Sequence, residues 1–417
     1  MNVLLTKILA AREARAARQT ALLREFGCPV VSFTMNIAGP VKTSPLIRRA
    51  FNTGLAELEA VFDGRILSRD ILHAITGDEA ILAVDLEAGE LKSICTSIEE
   101  RTPMGRLFDM DVLDTHGNKL ERSSKRCCLV CGKPGRGCAS RRLHAVGELQ
   151  EATTKLLTSH FIADAAVNAL IEEVRTTPKP GLVDLRNNGS HTDMDVPLFL
   201  ASAEALRPYF RECAAIGGDF PRLQEAGIEA ERTMYAVTSG VNTHKGAIYT
   251  LGILCAAVGE LWNGEDAPDV SDILSRAASI AGGAARLDLE HSQADTAGLR
   301  LYRAYGIPGI RGEMAAGLPS VKNIALPAFH AALSNGMSRN DAGALALLHL
   351  IAEVRDTNLW HRGGPEGAAY AANTARALLP YPTAQQLESL DDAFIARNLS
   401  PGGCADLLAV TYFLESL

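Results

Sequence analysis

The stretch ELQEATTKLLTSHFIADAAVNALIEEVR, residues 148–175, separates two kinds of pattern in this chain. Its apolar residues recur at helical spacing over about seven turns, which predicts one long helix. Ala- and Leu-rich segments with the same spacing follow it, at 196–210, 227–239, 246–261, 270–286, 342–355, 365–378 and 405–414. No β-type alternation separates these segments, so we expect an all-α domain after residue 152.

The residues before this stretch mix strand and helix signals. The apolar, β-branched run at 29–37 predicts a strand, and Ser44-Pro45 predicts the start of a helix that reaches about residue 62. Further strands are predicted at 81–86, 91–98 and 107–113. The sequence therefore indicates a multidomain protein, with an α+β N-terminal domain at 1–152 and an all-α C-terminal domain at 153–417.

Composition and charge exclude several classes of protein. Hydrophobic residues make up 47% and charged residues 22% of the 417 residues, which excludes a disordered, collagen-like or disulfide-scaffold chain. No run reaches the ~18 apolar residues of a membrane span, so we expect a cytoplasmic protein without a membrane partner. Residues 1–150 contain 21 Lys and Arg against 18 Asp and Glu, and the remainder contain 20 against 31. This difference predicts two units with different partners.

Two carboxylates, Asp109 and Asp111, are separated by one residue in the predicted strand at 107–113. At that spacing both side chains project from the same face. Carboxylate oxygens suit Mg²⁺, which neutralises the charge that develops during substitution at phosphorus. The neighbouring Arg106 is a candidate catalytic residue that holds a second phosphate. A solvated strand face is the alternative interpretation of this pattern.

A second candidate site in this domain consists of Cys128, Cys131, Cys138 and His144. Three thiolates and an imidazole at these spacings can enclose a structural Zn²⁺, and a loop of reduced thiols is the alternative. A zinc knuckle among Lys and Arg residues would also suit a nucleic-acid-binding protein. No aromatic residue lies between Asp109 and Phe161 to stack on a base, so we expect no nucleic-acid partner.

Three strings of the N-terminal domain resemble the apo-citrate lyase phosphoribosyl-dephospho-CoA transferases: PVVSFTMNIAGPVKTSPLIRRAFNTG from residue 29, GRLFDMDVL from residue 105, and the Cys/His segment. The resemblance covers nearly all of residues 1–150. It implies a nucleotidyltransferase-like domain that transfers a phosphoribosyl-dephospho-CoA group to a serine of the citrate lyase acyl carrier protein (γ subunit), releasing pyrophosphate. It agrees with Asp109 and Asp111 as Mg²⁺ ligands and implies phosphate contacts by Lys42, Arg48, Arg49 and Arg106.

Five Gly- and Pro-punctuated strings lie between the predicted helices of the C-terminal domain, at 176–195, 240–246, 306–317, 355–364 and 397–408. Thr243, His244 and Lys245 precede a helix whose N-terminus attracts anions. Asp356 is a candidate Mg²⁺ ligand beside Asn358, and Asp193 and Asp195 are further carboxylates.

The last of these strings contains a predicted helix start. Ser400 suits the capping position, Pro401 suits the first helical position, and Gly402 and Gly403 would let the backbone approach a ligand closely. Helix capping or surface charge explains any one of the five strings taken alone. Five such strings in one helical domain favour a binding site.

These strings resemble the triphosphoribosyl-dephospho-CoA synthases: TPKPGLVDLRNNGSHTDMD, GVNTHKG, RGE, RDTNL with RGG, and NLSPGG with ADLLAV occur in the family's order over about residues 160–417. The resemblance implies that this domain joins ATP to 3′-dephospho-CoA and releases adenine. Such a reaction needs a carboxylate to take the proton of the attacking hydroxyl and an acid to protonate adenine. The implied metal and base residues are Asp193, Asp195, Asp356 and Asp406, with Glu313 as a further base. The implied substrate contacts are Thr243, His244, Lys245, Arg311, Asn358, Arg362, Ser400, Gly402 and Gly403.

The two resemblances together predict a bifunctional transferase with ATP and 3′-dephospho-CoA as substrates, Mg²⁺ as cofactor and a structural Zn²⁺. The sequence leaves the oligomeric state open. One alternative is the equivalent enzyme of the malonate decarboxylase pathway, although the N-terminal strings favour citrate lyase. The other is a hydrolase resembling the ADP-ribosyl-glycohydrolases, which are also all-α and act at a ribose C1′ with Asp- and Thr-held Mg²⁺. That hydrolase would use water as the acceptor.

Overall fold

The computed structural model describes residues 3–122, 126–133, 138, 141–291 and 297–417. The chain divides into two compact units, Met1–His160 with Asn263–Asp266, and Phe161–Trp262 with Ala267–Leu417. The division at His160 falls inside the long helix that residues 148–175 predict. The domain boundary at 152/153 remains a prediction from sequence.

The first unit is built on a small antiparallel sheet. Along the chain it contains α1 (Val3–Phe26), β1 (Val30–Met35), α2 (Pro45–Val61), β2 (Ile66–Leu72), β3 (Glu79–Val84), α3 (Ala88–Arg101) and β4 (Phe108–Leu113). The strand order is β2-β3-β1-β4 and each neighbouring pair is antiparallel. The mixture of helices with a sheet confirms the α+β character that the sequence indicates.

Helix α2 packs closely on one face of this sheet. The Phe33 ring of β1 stacks on Phe51 of α2 at 4.8 Å between ring centroids, and it meets Phe108 of β4 edge-on at 5.4 Å. A Cβ at Gly54 would lie 2.7 Å from the Phe33 ring and 2.9 Å from the Phe108 ring, so only glycine permits this approach. The helix begins as predicted, because Ser44 Oγ accepts a hydrogen bond from the Ile47 amide at 3.2 Å.

The strand predicted at 91–98 is wrong, because these residues lie in α3. Leu91, Cys95 and Ile98 are buried on one side of that helix, at the i, i+4, i+7 spacing of a helical face. Glu87 caps the helix by accepting a hydrogen bond from the Glu90 amide at 3.0 Å. The sequence also misses β2, an edge strand whose side chains are mostly exposed.

Among the described residues, the second unit contains helices and no strand, which confirms the all-α prediction. After α4 (Val146–Arg175) it has α5 (Val196–Ala205), α6 (Arg207–Ile216), α7 (Phe220–Val237), α8 (Lys245–Leu261), α9 (Val270–His291), α10 (Ala297–Tyr305), α11 (Gly309–Ala315), α12 (Leu326–Ser334), α13 (Arg339–Glu353), α14 (Thr357–Leu378), α15 (Ala384–Ala396) and α16 (Gly402–Glu415). Helices α8, α13 and α16 are buried along most of their length and form the centre of one large hydrophobic core. Their burial on most sides explains why so much Ala and Leu occurs there.

The observed bounds differ from the predicted ones at several helices, and the helix predicted at 227–239 begins seven residues earlier, at Phe220. The segment 196–210 is two helices, α5 and α6, because the chain turns at Leu206 and restarts with Pro208 in the first turn. Helix α14 begins at Thr357 and contains a break at Gly364, where φ is +63°, immediately before Pro365. No helix in the described parts of the chain is long and apolar enough to cross a membrane.

Candidate functional site

Strand β4 borders a cavity of about 1090 Å³ in the first unit, here called the first-unit cavity. The strand shows the alternation that the sequence predicts, with Phe108, Met110 and Val112 buried and Asp109 and Asp111 partly exposed. Both carboxylates therefore project from the same sheet face. The charged residues that line the cavity are Lys92, Arg106, Asp109, Asp111, Lys119, Glu121, Arg122, Arg126 and Arg142.

Each candidate carboxylate has a cationic partner in this cavity. Asp111 Oδ2 lies 2.6 Å from Lys119 Nζ, and Asp109 Oδ1 lies 3.4 Å from Arg126 Nη1. The side chains of Asp109 and Asp111 are 42% and 29% exposed, so the ion pairs are accessible to a ligand. Two adjacent, accessible carboxylates are a donor set that suits Mg²⁺.

Arg106 belongs to the same cavity as these carboxylates. Its Nε donates a hydrogen bond to the Cys127 carbonyl at 2.7 Å. Burial lowers the pKa of Arg106, and the nearby positive charges of Arg126 and Arg122 lower it further. The Arg106 guanidinium is therefore held among other cations. An anionic ligand bound there would offset the repulsion between these positive charges.

The structure does not bring the other three predicted phosphate contacts into this cavity. Lys42 lines a smaller cavity of about 150 Å³ beside Asp109, and its Nζ donates to the Ile37 carbonyl at 2.5 Å. Arg48 makes two hydrogen bonds of 3.1 Å to the buried Asp78 carboxylate. Arg49 is exposed on α2 and lines neither cavity.

The structure brings the four predicted zinc ligands together. One ligand atom from each of Cys128, Cys131, Cys138 and His144 lies within 4.8 Å of all the others, and two of the sulfurs are 3.5 Å apart. His144 Nε2 is buried without a hydrogen-bond partner. Although burial opposes it, hydrogen bonds from the Cys131 and Val130 amides lower the pKa of the Cys128 thiol to about 7. A thiolate at that position favours metal binding.

The second unit contains a cavity of about 700 Å³, here called the second-unit cavity. Each of the five strings that the sequence singles out contributes to its lining, through residues such as His191, Thr243, Glu313, Asp356 and Asp406. These residues are separated by more than 200 positions in the chain, and the helical core brings them together. Ligand-binding groups on inter-helix loops above a rigid core are a common arrangement in enzymes.

Asp356 connects two helix starts at the base of this cavity. One carboxylate oxygen accepts the Asn358 and Leu359 amides at 2.7 and 3.1 Å, and the other accepts the Cys404 amide at 2.8 Å. The side chain is buried, and desolvation raises its pKa. Asp356 therefore caps α14 and holds the start of α16 against it.

Glycines permit the close contact between these two helix starts. A Cβ at Gly402 would lie 2.4 Å from Asn358 Nδ2, and a Cβ at Gly403 would lie 3.0 Å from Asp356 Oδ2. The predicted cap at Ser400 is wrong, because Pro401 occupies the position before α16. Ser400 Oγ instead lies 3.0 Å from His191 Nε2.

His244 is a buried imidazole in the cavity wall with one unpaired nitrogen. Thr243 Oγ1 donates to Ser202 Oγ at 2.8 Å, and Ser202 Oγ lies 2.8 Å from His244 Nδ1. Since Ser202 Oγ accepts from Thr243, we assign the Ser202 proton to the bond with Nδ1 and the ring proton of His244 to Nε2. Nε2 is buried without a partner. Burial, with a contribution from Lys179, lowers the pKa of His244 to about 3, so the ring is neutral.

A buried ion pair lies beside this imidazole. Lys179 Nζ contacts Glu173 Oε1, and both side chains are almost fully buried in the lining of the cavity. Desolvation raises the pKa of Glu173, and Lys179 opposes that shift. Sequence reasoning misses both residues, although Lys179 lies within the TPKPG string and Glu173 lies in the last turn of the long helix before it.

Asp406 projects from α16 against the first turn of α8. A Cβ at Gly246 would lie 1.9 Å from Asp406 Oδ2, so the glycine in the THKG string makes room for this carboxylate. Desolvation raises the pKa of Asp406 to about 8, and the negative charges of Glu173 and Asp356 add to the shift. Asp406 is consequently protonated at neutral pH.

Arg362 and Glu313 also lie in this cavity, as predicted from their strings. Arg362 donates to the Ser190 carbonyl at 2.8 Å, and its second terminal nitrogen lies 3.2 Å from His191 Nδ1. The Glu313 carboxylate accepts hydrogen bonds from Ser320 Oγ at 2.7 Å and from the Ser320 amide at 3.1 Å. Both charged groups are thus held in fixed orientations.

The remaining predicted residues have mixed placements. Asp193 and Lys245 line the cavity, and Lys245 Nζ also pairs with Glu231 at 2.7 Å. Asp195 lies outside the lining and caps α5 by accepting the Leu198 amide at 2.9 Å. Arg311 is on α11, whose neighbouring residues line the cavity, but it is not itself a lining residue.

Comparison with known proteins assigns each unit. Residues 3–160 match the family described as apo-citrate lyase phosphoribosyl-dephospho-CoA transferase, and residues 159–417 match the family described as ATP:dephospho-CoA triphosphoribosyl transferase. The chain is 36% identical to Protein CitXG of Haemophilus influenzae, over 100% of this chain and 96% of the relative. It is 34% identical to Protein CitXG of Leuconostoc mesenteroides subsp. cremoris, over 99% and 97%. A 2-(5''-triphosphoribosyl)-3'-dephosphocoenzyme-A synthase of Pectobacterium atrosepticum is 40% identical over 64% of this chain and 95% of the relative.

Proposed function

This chain belongs to two transferase families, the apo-citrate lyase phosphoribosyl-dephospho-CoA transferases and the ATP:dephospho-CoA triphosphoribosyl transferases, and from that premise we propose its function. It makes the citrate lyase prosthetic group and then attaches it to the lyase. The second unit converts ATP and 3′-dephospho-CoA to the triphosphoribosyl precursor. The first unit transfers the phosphoribosyl-dephospho-CoA part of that precursor to a serine of the acyl carrier protein.

The observation that carries the second-unit reaction is the pairing of a protonated carboxyl with fixed anion-binding groups in one cavity. The 2′-hydroxyl oxygen of dephospho-CoA bonds to C1′ of the ATP ribose while the bond from C1′ to adenine breaks. Asp406, which holds a proton at neutral pH, protonates the departing adenine. Glu313, fixed by Ser320, accepts the proton of the attacking hydroxyl.

The triphosphate remains attached to the ribose throughout this reaction. The site must therefore bind its phosphates without cleaving them. Lys245 at the start of α8 and Arg362 supply positive charge. The Nε2–H of neutral His244 donates a hydrogen bond without adding charge. These groups orient the ribose for attack at C1′.

In the first unit, a serine hydroxyl of the carrier attacks the phosphorus that bears the ribosyl group, and pyrophosphate departs. Asp109 and Asp111 lie beside a cluster of cations in the first-unit cavity, which suits a polyphosphate donor. We assign a nucleotidyltransferase-like fold to this unit on its family membership and its four-stranded sheet. The excess of basic residues in 1–150 suits an acidic carrier surface.

Carboxylate placement supports Mg²⁺ in both units. Asp109 and Asp111 would hold the ion in the first unit, and Asp193 with Asp356 would hold it in the second. Mg²⁺ would supply neutralisation of phosphate charge at each site.

The Cys/His cluster supports a structural Zn²⁺ in the first unit. A tetrahedral Zn²⁺ binds sulfur at ~2.3 Å and nitrogen at ~2.0 Å, which small side-chain movements would achieve from the observed spacing. We expect about one equivalent of zinc in the purified protein, and its loss in Cys131→Ser. Cys127→Ser is the matched control, since Cys127 is exposed and outside the cluster. Equal zinc in both variants would contradict the assignment.

The central experiment separates the two reactions. Incubation with ATP, Mg²⁺ and 3′-dephospho-CoA should release adenine, and addition of apo-carrier should then release pyrophosphate and raise the carrier's mass by the prosthetic group. Asp109→Ala should abolish only the second step, while Asp85→Ala, an exposed carboxylate outside the first-unit cavity, should leave both steps intact. Adenine release that needs no dephospho-CoA would indicate a hydrolase. Modification of a malonate decarboxylase carrier alone would indicate the related pathway.

A further inference from the structure

The first-unit cavity has more positive than negative charge in its lining. Six cations and three carboxylates line it among the described residues. Asp109 and Asp111 are paired with Arg126 and Lys119, while Arg122 is paired with Glu99 and Glu100, two carboxylates that lie outside the lining. Cations crowded into a concave, partly buried surface attract a multiply charged anion.

A buried carboxylate outside the lining, Glu99 of α3, holds two of these cations in place. Its side chain is 1% exposed. One oxygen lies 3.0 Å from Arg122 Nη1, and the other contacts Arg126 Nη2. That second oxygen also accepts the Met110 amide at 2.8 Å. A single carboxylate therefore fixes two arginines relative to the strand.

The contact with Met110 sets the position of these arginines relative to the candidate catalytic carboxylates. Met110 lies between Asp109 and Asp111 on β4, an edge strand of the sheet. Glu99 receives its amide, and Lys92 Nζ donates to its carbonyl at 3.0 Å. Helix α3 thus closes the free edge of β4 with two side chains seven residues apart.

We propose that Arg106, Arg122 and Arg126 form the seat for the diphosphate part of the donor, the part that leaves as pyrophosphate, and that Glu99 is the residue that positions it. This inference rests on the transfer reaction proposed above. The guanidinium fork matches phosphate geometry and makes charge-assisted hydrogen bonds to its oxygens. The seat would hold the leaving group beside Asp109 and Asp111, where the phosphorus–oxygen bond breaks.

The lining favours a polyphosphate over a nucleobase. Apart from His144, no aromatic side chain lines the cavity among the described residues, so nothing there stacks on adenine. A phosphate chain needs no stacking surface and uses only the cations. An acidic patch of a protein is the other anion that could contact these arginines, and the experiment separates the two.

The experiment measures binding of inorganic pyrophosphate to the full chain by calorimetry. Arg122→Gln and Arg126→Gln should each raise the Kd by roughly 10- to 100-fold, the loss expected for a hydrogen bond to a charged group. Glu99→Gln keeps an oxygen for the Met110 amide but loses the charge that holds Arg122 and Arg126. It should therefore also raise the Kd for pyrophosphate. Arg101→Gln is the matched control, because Arg101 ends the same helix, pairs with Glu57 and does not line the cavity.

Kinetics distinguish positioning from a structural role. In all three variants the KM for the triphosphoribosyl donor should rise while the KM for the carrier and the thermal unfolding temperature stay near wild type. An unchanged pyrophosphate Kd in Arg122→Gln and Arg126→Gln would overturn the proposal, and so would a change confined to the carrier KM. If Glu99→Gln fails to fold, the two arginine variants decide the result. Absence of carrier modification by the wild-type protein, with pyrophosphate binding intact, would reject the proposed function and leave the anion seat standing.

Discussion

The contact between Gly246 and Asp406 makes a direct test of the second-unit site. Replacing glycine by alanine inside a helix normally stabilises a protein by about 0.5–1 kcal/mol. At Gly246 the added Cβ would lie 1.9 Å from Asp406 Oδ2, so the carboxylate or the helix must move. Such overpacking costs roughly 1–3 kcal/mol, which exceeds the helical gain. We expect Gly246→Ala to lower stability by about 1–2 kcal/mol net.

The matched control is Gly282→Ala. Gly282 also lies inside a helix, α9, and a Cβ there would meet no atom of the described residues within 4 Å. This variant should gain the full helical stabilisation of about 0.5–1 kcal/mol. In thermal unfolding the two variants should shift the Tm of the second unit in opposite directions, by roughly 2–4 °C per kcal/mol.

The same pair of variants tests the role of Asp406. Displacing the carboxyl that protonates adenine should slow adenine release by about 10²-fold or more in Gly246→Ala, and Gly282→Ala should retain the wild-type rate. The reasoning is refuted if Gly246→Ala gains stability as the control does and releases adenine normally. That result would mean that the first turn of α8 does not lie against Asp406.

Three further outcomes test other contacts. Ser202→Ala should free His244 Nδ1, cost about 1–3 kcal/mol and alter the imidazole ¹⁵N shifts, and unchanged shifts would refute the hydrogen bond between Ser202 and His244. Because the pKa of His244 falls from 6.5 in the unfolded chain to about 3 in the folded chain, this group's stability contribution is complete above pH 6.5 and declines as pH falls towards 3. His244→Gln should therefore unfold in denaturant with a weaker acid dependence than wild type between those values, and an identical dependence would contradict the shift. Gly54→Ala should destabilise the first unit and reduce carrier modification while adenine release continues, because its Cβ would collide with the Phe33 and Phe108 rings.

Local sequence patterns predict much of this protein because their physical causes are local. The 3.6-residue spacing in 148–175 specifies a helix wherever its apolar side is buried, and Ser44-Pro45 supplies both the cap and the first turn of α2. The i, i+2 spacing places Asp109 and Asp111 on one face of a strand. Residue spacing does not distinguish a helix from a strand over 91–98. A short apolar segment of this kind fits either element, and the structure shows a helix.

The sequence by itself determines the kinds of element, the two families and most of the strings that line the second-unit cavity. The tertiary structure decides which groups meet. It pairs Lys179 with Glu173 beside His244, and it joins Glu99 to Met110 and two arginines. The spacing of these residues in the sequence does not predict that they meet. Their contacts depend on how whole helices and strands pack. The protonation of Asp406 and the proton position on His244 depend on the same packing, because burial and hydrogen-bond partners determine both.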